Sequence, residues 1–305
     1  MSGDPRVHAV LVAYRPERDP LARALVSLAA QVKRVVVVDN GGQAALLREV
    51  AERAAPGACL VLEQTGNTGV AAALNRGIRE AIAQGATHIL LMDDDSVPAA
   101  GMVSQLLDAL SAASASGERI AAAGPVFVDE RSGKQSYFVR VGWLRFQRLH
   151  CAADPVLHCD LLINSGMLVS AEALAQVGDM DESLFIDHVD TEWCLRALSR
   201  GYRFLGVCGA RMSHELGEGS VAVTASRSVH RHSPVRYRYI VRNSVLLYGR
   251  GYPSMKWKLA DLLRLATLLA AVAILVAPRG TNLLAALSGL VDGLRGRSGP
   301  VPGNR

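Results

Sequence analysis

Three adjacent aspartates at positions 93–95 directly follow the apolar run HILLM. Ionised carboxylates this close repel one another, and a divalent cation relieves the repulsion because it uses their oxygens as hard ligands. In extended backbone, residues two apart face the same way, so Asp93 and Asp95 can converge on one site. The alternative is a solvated loop with a helix N-cap, since Ser-Val-Pro at 96–98 suits a helix start. The position after an apolar strand favours a metal or nucleotide site.

A further carboxylate, Asp39, ends the β-branched run at residues 32–40 and precedes two glycines. Glycine permits close approach of the backbone to a ligand, and a carboxylate in such a place commonly accepts from a base or ribose. A plain Asx turn is the alternative. Residues 66–69, Gly-Asn-Thr-Gly, precede a predicted helix whose first N–H groups favour phosphate. Neither a G-x-G-x-x-G nor a Walker A sequence is present, so dinucleotide and P-loop sites are not supported.

A second polar cluster, residues 185–196, holds three acids, a histidine and an arginine between apolar residues. Asp190 stands at a predicted helix start with Glu192 in the first turn, where the helix dipole stabilises acids, so a structural role is the alternative. A carboxylate here acts as general base if it reaches an acceptor hydroxyl. His214 ends a predicted strand, and although a lone histidine is more often structural, it can complete a metal site with the upstream acids.

The elements that position these residues alternate between strand and helix. Apolar runs predict strands at 7–14, 32–40, 58–64 and 87–95, and helical spacing predicts helices at 20–31, 43–54 and 70–85. This alternation predicts an α/β fold with a mostly parallel sheet and right-handed crossovers. The later chain is less regular, with predicted helices at 170–178 and 190–201 and a strand at 202–214.

Charge is concentrated near the C-terminal end of the chain. The 305 residues carry a net charge of +5, and their 50% hydrophobic content supports one large domain, or one domain with an appendage. Nine basic residues fall in a stretch with one acid, Asp261. They are Arg227, Arg231, Arg236, Arg238, Arg242, Arg250, Lys256, Lys258 and Arg264. Such a patch attracts phosphate on lipid, nucleic acid or a ligand.

Residues 254–278 are strongly apolar after a basic start that contains Trp257. The uninterrupted apolar run at 265–277 is shorter than the roughly 20 residues that span a bilayer. An interfacial amphipathic helix is therefore expected, with a buried helix packed on the main domain as the alternative. The tail after Arg295 is rich in Gly, Pro and Arg, and is expected to be disordered.

The five cysteines favour a reduced compartment. Their number is odd and their spacing does not fit a zinc site, so reduced thiols and a cytosolic location are expected. The N-terminus shows no charged-then-apolar signal peptide.

Taken in order, these segments resemble the glycosyltransferase family 2 enzymes with the GT-A fold, a Rossmann-like, mostly parallel sheet flanked by helices. Within that family they are most similar to bacterial rhamnosyltransferases of cell-surface polysaccharide synthesis. The resemblance covers about residues 7–250 and depends on the ordered set of motifs, including Tyr-Arg-Tyr-x-x-Arg-Asn at 237–243. It implies that eight residues bind the nucleotide sugar: Ala13, Tyr14, Arg15, Asp39, Asn67, Asn75, Asp93 and Asp94.

The resemblance also implies a metal and a catalytic base. Asp95 and His214 match the positions that hold Mg²⁺ or Mn²⁺, and a G-x-S element follows at 217–220. Asp190 matches the catalytic base, although Val189 stands where many members have Glu. The further candidates of this motif are Glu192, Trp193, Arg196 and, a second time, Asp93.

The implied reaction is a single in-line displacement with inversion, from dTDP-rhamnose to a lipid-diphosphate-linked saccharide. A UDP or GDP sugar is the alternative donor. The expected location is cytoplasmic, peripheral to the inner face of the plasma membrane, with Trp257 as an interfacial anchor. A homo-oligomer is possible, and no nucleic-acid partner is expected because zinc, RRM and helix-turn-helix signatures are lacking.

The expected organisation is a catalytic domain at 1–225, with nucleotide-binding residues 1–100 and acceptor-binding residues 101–225. A basic, amphipathic and membrane-associating helical region at 226–295 follows, and then a disordered tail at 296–305. The rival enzyme is a nucleotidyltransferase, which typically needs a Gly-rich basic loop that the N-terminal AYRPERD does not supply. A non-enzymatic docking module would leave the aspartates and His214 unexplained.

Overall fold

The computed structural model describes residues 5–129, 133, 135–152, 154–214, 220–224, 227–230 and 232–301. The first third alternates strands and helices in the order β1 (Val7–Ala13), α1 (Arg18–Ala29), β2 (Arg34–Asp39), α2 (Ala44–Ala54), β3 (Cys59–Glu63), α3 (Val70–Ala83) and β4 (His88–Asp93). The middle third contains β5 (Ser96–Pro98), α4 (Met102–Ala115), β6 (Ile120–Asp129), β7 (Phe138–Val141), β8 (Phe146–Leu149), β9 (Val156–Cys159) and β10 (Leu168–Ser170). The remainder contains α5 (Ala171–Val177), a 3₁₀ turn (Glu182–Leu184), α6 (Val189–Ser199), β11 (Arg203–His214), β12 (Ser220–Thr224), β13 (Arg227–His230), α7 (Pro234–Tyr248), α8 (Met255–Leu275) and α9 (Arg279–Leu294).

The central sheet has nine strands and is covered by helices on both faces. Its order is β3-β2-β1-β4-β10-β6-β11-β5, and β9 pairs with β11. All seven residues of β1 are buried, as expected of a central parallel strand with no solvent face. On one face the strands pack against α1, α2 and α4, and on the other against α3, α5 and α6. The predicted mostly parallel α/β fold is confirmed.

The strand order creates a crevice beside β1. Strand β1 pairs in parallel with β2 on one side and with β4 on the other. The chain therefore moves outward to β2 and β3 and returns to the opposite side of β1. Open α/β sheets bind ligands at such a switch point, outside the carboxyl ends of the strands. The residues that follow β1, β2 and β4 lie at this edge.

The C-terminal helices pack closely on one another and on the preceding domain. A Cβ atom added to Gly289 of α9 would lie 2.3 Å from the carbonyl oxygen of Arg238 in α7, so α9 can approach α7 only with glycine there. Helix α8 buries Trp257, Ala260, Asp261, Leu265 and Val272 on one face. In the part of the chain that the structure describes, no helix is both long and apolar enough to cross a membrane.

Trp257 is not the interfacial anchor that the sequence suggested. Its side chain is only 1% exposed and packs against the ring of Tyr248. The ring is buried inside the protein and does not face a membrane surface, so this part of the interfacial prediction is wrong.

Four arginines of the basic stretch are paired with carboxylates. Arg236 pairs with Asp187 at 2.6 Å, and Arg264 pairs with Asp261 at 2.7 Å. Arg238 pairs with Asp292, and Arg250 pairs with Asp181. The pairs of Arg236, Arg238 and Arg250 join separate segments, whereas the Arg264 pair lies within α8. The prediction of a phosphate-attracting patch is wrong for these four arginines.

The start of the predicted disordered tail is packed into the protein. Val301 is buried, and its backbone N–H donates to the Tyr239 hydroxyl at 2.7 Å. The Arg242 guanidinium donates to the carbonyl of Gly299 at 2.6 Å. Residues 296–301 are thus ordered by contacts with α7, and the remaining tail residues lie outside the description.

Two of the five cysteines are joined, contrary to the expectation of reduced thiols. Cys151 and Cys208 form a disulfide, whereas Cys59, Cys159 and Cys194 are free. The odd count gave no indication of this pair, because the two residues are 57 positions apart and meet only through the fold.

Candidate active site

The ends of β1, β2 and β4 meet at one edge of the sheet, as the parallel pattern requires. Ala13 is in register with Asp39, and Val12 with Asp93. The backbone N–H of Tyr14 donates to the Asp94 carboxylate at 2.8 Å. We call residues 13–15, 39–41 and 93–95 the strand-end cluster.

The turns of the strand-end cluster pack directly on one another. A Cβ atom on Gly41 would lie 2.9 Å from the backbone nitrogen of Arg15, so the turn after β2 can approach the turn after β1 only with glycine at this position. Tyr14 is 45% exposed, and the Arg15 guanidinium lies over its ring. Tyr14 and Arg15, which follow β1 and are predicted to bind the ligand, therefore place an exposed aromatic ring and a cation at this edge of the sheet.

Asp39 has the Asx-turn geometry that was weighed as the alternative. It is 2% exposed, and its Oδ1 atom accepts from the backbone N–H groups of Gly41 and Gln43, both at 3.0 Å. One carboxylate oxygen thus shapes the turn. The role of Asp39 in nucleotide binding stays a prediction.

The loop at 66–69 is tied to the end of β2 by two asparagines. Asn40 Oδ1 accepts from the backbone of Thr68 at 2.9 Å, and Asn67 Oδ1 accepts from Gly69 at 3.0 Å. Asn67 also accepts from the amide of Asn40 at 3.3 Å. This network holds the predicted phosphate loop beside the strand-end cluster.

Asn75 has a structural role in this arrangement. Its amide donates to Met180 O and to Glu182 Oε1, both at 2.9 Å, and its oxygen accepts from Met180 N at 2.8 Å. Both amide hydrogens are therefore used to hold residues 180–182. The structure brings Asn67 to the strand-end cluster but directs the side chain of Asn75 away from it.

The aspartate triplet lies in partly buried positions. Burial raises the pKa of Asp94 to about 6; the bond from Tyr14 lowers it and the neighbouring charge of Asp95 raises it. The hydroxyl of Ser96 donates to Asp95 at 3.2 Å. Ser165 in turn donates to Ser96 at 2.8 Å and accepts from Asp93 N at 3.3 Å.

The carboxylates of this edge suit a hard divalent cation. Strand β11 brings the backbone of His214 into register with Ser96, directly beside Asp95. The side chain of His214 and residues 217–219 of the G-x-S element lie outside the description. Among the described residues no three ligating side chains converge, but Mg²⁺ is commonly held by one or two carboxylates together with substrate phosphates. Asp95, with Asp93 beside it, therefore fits Mg²⁺ or Mn²⁺.

Asp190 lines a cavity of about 220 Å³ that adjoins the aspartate triplet through Ser165. Burial raises the pKa of Asp190, and the charge of Asp187 adds to this effect, while hydrogen bonds from Thr191 oppose it. Asp190 Oδ1 accepts from Thr191 N at 2.6 Å. A carboxylate with a raised pKa inside a cavity can act as a general base.

The loop before α6 sets the position of Asp190. Phe185, Asp187 and His188 all have left-handed backbone angles, with φ values of 67°, 61° and 64°. The side-chain amide of Asn243 donates to the carbonyls of Leu184, Ile186 and Asp187 at 3.1, 2.8 and 2.9 Å.

Sequence reasoning did not single out Ser165 or Asn243. The run at 237–243 contained Asn243 without indicating its partners. No sequence signal marks Ser165.

The other candidates of the second polar cluster do not line the cavity of Asp190. Glu192 is fully buried and accepts from Arg196 Nε at 2.8 Å and from Tyr252 at 2.5 Å. Trp193 Nε1 donates to Gly178 O at 2.9 Å. Asp190 and Glu192 are two positions apart on a helix and therefore face different directions. Of these two carboxylates, only that of Asp190 lines the cavity.

Comparison with known proteins identifies a family model and a relative that agree with each other. Residues 9–170 match the family model described as Glycosyl transferase family 2. The dTDP-rhamnosyl transferase RfbF of Shigella flexneri is 34% identical over 252 residues, which cover 81% of this chain and 81% of that protein.

Solved structures share the fold at low identity. S. aureus TarS 1–349 in complex with UDP-GlcNAc is 15% identical with a TM-score of 0.57, over 94% of this chain and 81% of that chain. GalNAc-T7 with UDP, GalNAc and Mn²⁺ is 14% identical with a TM-score of 0.59, over 86% of this chain and 54% of that chain. This chain thus spans about half the length of the latter, and these likenesses show the fold alone.

Asp190 and Glu192 lie in distinct environments, so we expect their substitutions to differ in their effect on the free energy of unfolding. Glu192→Ala leaves the Arg196 guanidinium without its buried partner, so we expect the free energy of unfolding to fall by about 3–5 kcal/mol. Asp190→Asn removes a charge whose burial is unfavourable, so we expect no loss at pH 7. Urea denaturation of both variants measures this, and a larger loss for Asp190→Asn would contradict the assignment.

Proposed function

The chain belongs to glycosyl transferase family 2, and from that membership we propose that it transfers rhamnose from dTDP-rhamnose to a saccharide hydroxyl with inversion. That it is a glycosyltransferase follows from the family and from its 34% identity to a dTDP-rhamnosyl transferase. The observation that carries the proposed mechanism is the direct connection of two carboxylate sites. The strand-end cluster and the Asp190 cavity share Ser165 as a neighbour.

The donor is proposed to bind along the strand-end cluster. Asp39, Asn67 and the backbone of residues 13–15 border the position of a base and ribose, with Asp93 and Asp94 beside the ribose and diphosphate. Asp95 and His214 would hold Mg²⁺ or Mn²⁺, which when bound stabilises negative charge on the departing nucleoside diphosphate. The partial burial of Asp94 lowers the local dielectric and so strengthens the electrostatic interactions of this carboxyl.

Asp190 is proposed to take the proton from the acceptor hydroxyl. Its raised pKa makes it a stronger base than an exposed aspartate. Thr191 holds one of its oxygens from the same helix turn, which fixes the orientation of the carboxylate. The transfer then needs one displacement at the anomeric carbon and no covalent enzyme intermediate.

Donor specificity tests the proposal most directly. We expect nucleoside diphosphate release from dTDP-rhamnose, with Mg²⁺ or Mn²⁺ present, and loss of that release in EDTA. UDP-glucose, UDP-GlcNAc and GDP-mannose are the comparison donors, and chromatography of the nucleotide products is the measurement. Turnover of one of these donors alone would overturn the rhamnose assignment and keep the transferase. Release of pyrophosphate in place of a nucleoside diphosphate would instead favour the nucleotidyltransferase.

The role of Asp190 predicts a defined pH dependence. A base must be ionised to accept a proton, so kcat/KM should fall as the pH drops through the pKa of Asp190, which burial raises above the ordinary aspartate range. Asp190→Asn should lower kcat by about 10²- to 10⁴-fold and leave dTDP binding unchanged. An unchanged acid limb in the residual activity of this variant would contradict the role of Asp190 as the base.

The acceptor is proposed to be lipid-linked, with the protein peripheral to the inner face of the plasma membrane. The supporting observation is a set of exposed large apolar side chains on α8 and α9. They are Leu262, Leu263, Ile274, Leu275, Leu284, Leu287, Leu290, Val291 and Leu294. Helices with such faces lie in the membrane interface, and contiguous exposed apolar surface marks an interaction site.

Vesicle binding tests this location. The protein should sediment with vesicles of phosphatidylethanolamine and phosphatidylglycerol, and Leu284→Glu/Leu294→Glu should reduce the bound fraction because charge at an apolar interface is costly. Val26→Glu/Ile82→Glu changes exposed apolar residues on α1 and α3 and serves as the matched control. Equal binding of both double variants and the unmodified protein would rule out α9 as the membrane-facing surface.

A further inference from the structure

A second cavity, of about 540 Å³, lies between the β7–β8 hairpin, the start of α6 and α8. It shares Thr191, Tyr137, Val139 and Leu161 with the smaller cavity that contains Asp190. The larger cavity therefore opens beside the proposed catalytic base. Its volume is within the range of about 300–1,000 Å³ that is usual for small-molecule sites.

The lining of this cavity separates it from the donor site. No residue of the strand-end cluster contributes to it. Helix α8 instead contributes Trp257, Ala260, Asp261, Leu263, Arg264 and Thr267. A ligand in this cavity would lie next to the cavity of Asp190 without occupying the strand-end cluster.

The cavity is positively charged. Arg145, Arg148 and Arg264 line it together with one carboxylate, Asp261. Burial opposes the ionisation of Asp261, but the charge of Arg264 together with hydrogen bonds from Arg264 and Tyr248 lowers its pKa, so it stays ionised. Burial lowers the pKa of His188, which keeps that ring neutral near pH 7. Three guanidinium groups therefore face one carboxylate, and the excess charge is positive.

Two of these arginines are available to a ligand. Arg264 already pairs with Asp261. Arg145 and Arg148 form no ion pair with any carboxylate in the described ranges, and Arg148 lies over the ring of Tyr137 at 4.6 Å. Arginine binds phosphate through paired N–H donors. The hairpin thus presents two cations at the rim of the cavity.

Beyond the arginines, the mouth of the cavity is apolar. Leu144 and Leu263 line it and are 62% and 46% exposed. Trp143, which precedes Leu144, is 62% exposed, and the Lys256 ammonium lies over its ring. The larger cavity thus combines arginines with an exposed apolar surface and adjoins the cavity of Asp190.

We propose that this cavity is the acceptor site and that it binds a lipid-linked saccharide by its diphosphate and the first segment of its lipid. The sugar hydroxyl lies toward Asp190, the diphosphate lies against Arg145 and Arg148, and the lipid leaves past Leu144 and Leu263. The inference rests on the proposed function, since it takes the chain to be a transferase with a lipid-linked acceptor. In this proposal, the β7–β8 hairpin and α8 recognise the acceptor.

The test uses geranyl diphosphate, inorganic pyrophosphate and geraniol as probes, with saturating dTDP and Mg²⁺ present to occupy the donor site. Calorimetry should show that geranyl diphosphate binds more tightly than either of the other two. Arg145→Gln/Arg148→Gln should weaken its binding at least tenfold, and Arg145→Lys/Arg148→Lys should restore part of the loss. Both arginines are exposed, so the variants are expected to fold. Arg34→Gln/Arg53→Gln removes two exposed cations far from the cavity and is the matched control.

The outcomes separate this inference from the proposed function. If dTDP-rhamnose is turned over but the arginine variants bind geranyl diphosphate as the unmodified protein does, the acceptor site is wrong and the transferase stands. Equal affinity for pyrophosphate and geranyl diphosphate would overturn the lipid part of the proposal. Loss of dTDP binding in the arginine variants would assign these residues to the donor site and would also overturn it.

Discussion

The position of the proposed base depends on a backbone path that the chain would not adopt without support. Three non-glycine residues between 185 and 188 have left-handed angles, and each such residue costs about 1–3 kcal/mol. Asn243 offsets this strain because its amide donates to three carbonyls of the same segment. Arg242 adds a further bond to Leu184. Helix α7 therefore holds the loop from which α6 begins, and Asp190 lies in the first turn of α6.

The same loop also contacts the donor side of the molecule. The backbone N–H of Val70, the first residue of α3, donates to Phe185 O at 2.8 Å. A Cβ atom on Gly69 would lie 2.6 Å from the Phe185 ring, so a larger residue would clash there. The φ of 88° at this position also favours glycine. The predicted phosphate loop and the base are thus fixed to one rigid segment. A displacement reaction requires such a fixed relation, because donor and base must be aligned to within fractions of an ångström.

The sequence predicted the parts of the site that follow from strand periodicity. The ends of β1, β2 and β4 were expected at one edge, and buried parallel strands leave few other arrangements. The sequence could not predict ion pairs between residues that are far apart along the chain. Arg236 and Asp187 are 49 positions apart, and nothing local indicates that the arginine is paired. Likewise, Asp190 and Glu192 both lie in the first turn of a predicted helix, and only the packing of α6 shows that one faces a cavity and the other the core.

The C-terminal helices show why a boundary at 225 is difficult to draw from composition. Their basic and apolar character suggested an appendage that attaches a complete catalytic domain to a membrane. In the structure α7 holds the loop of Asp190, α8 forms one wall of the larger cavity, and residues 299–301 bond back to Arg242 and Tyr239. The bonds of Asn243 to the loop and the contacts of α8 with the cavity cross the proposed boundary, and loss of the buried Asn243 bonds would leave donors and acceptors unsatisfied. The extension therefore packs against the segments that hold Asp190 and lines the cavity proposed for the acceptor.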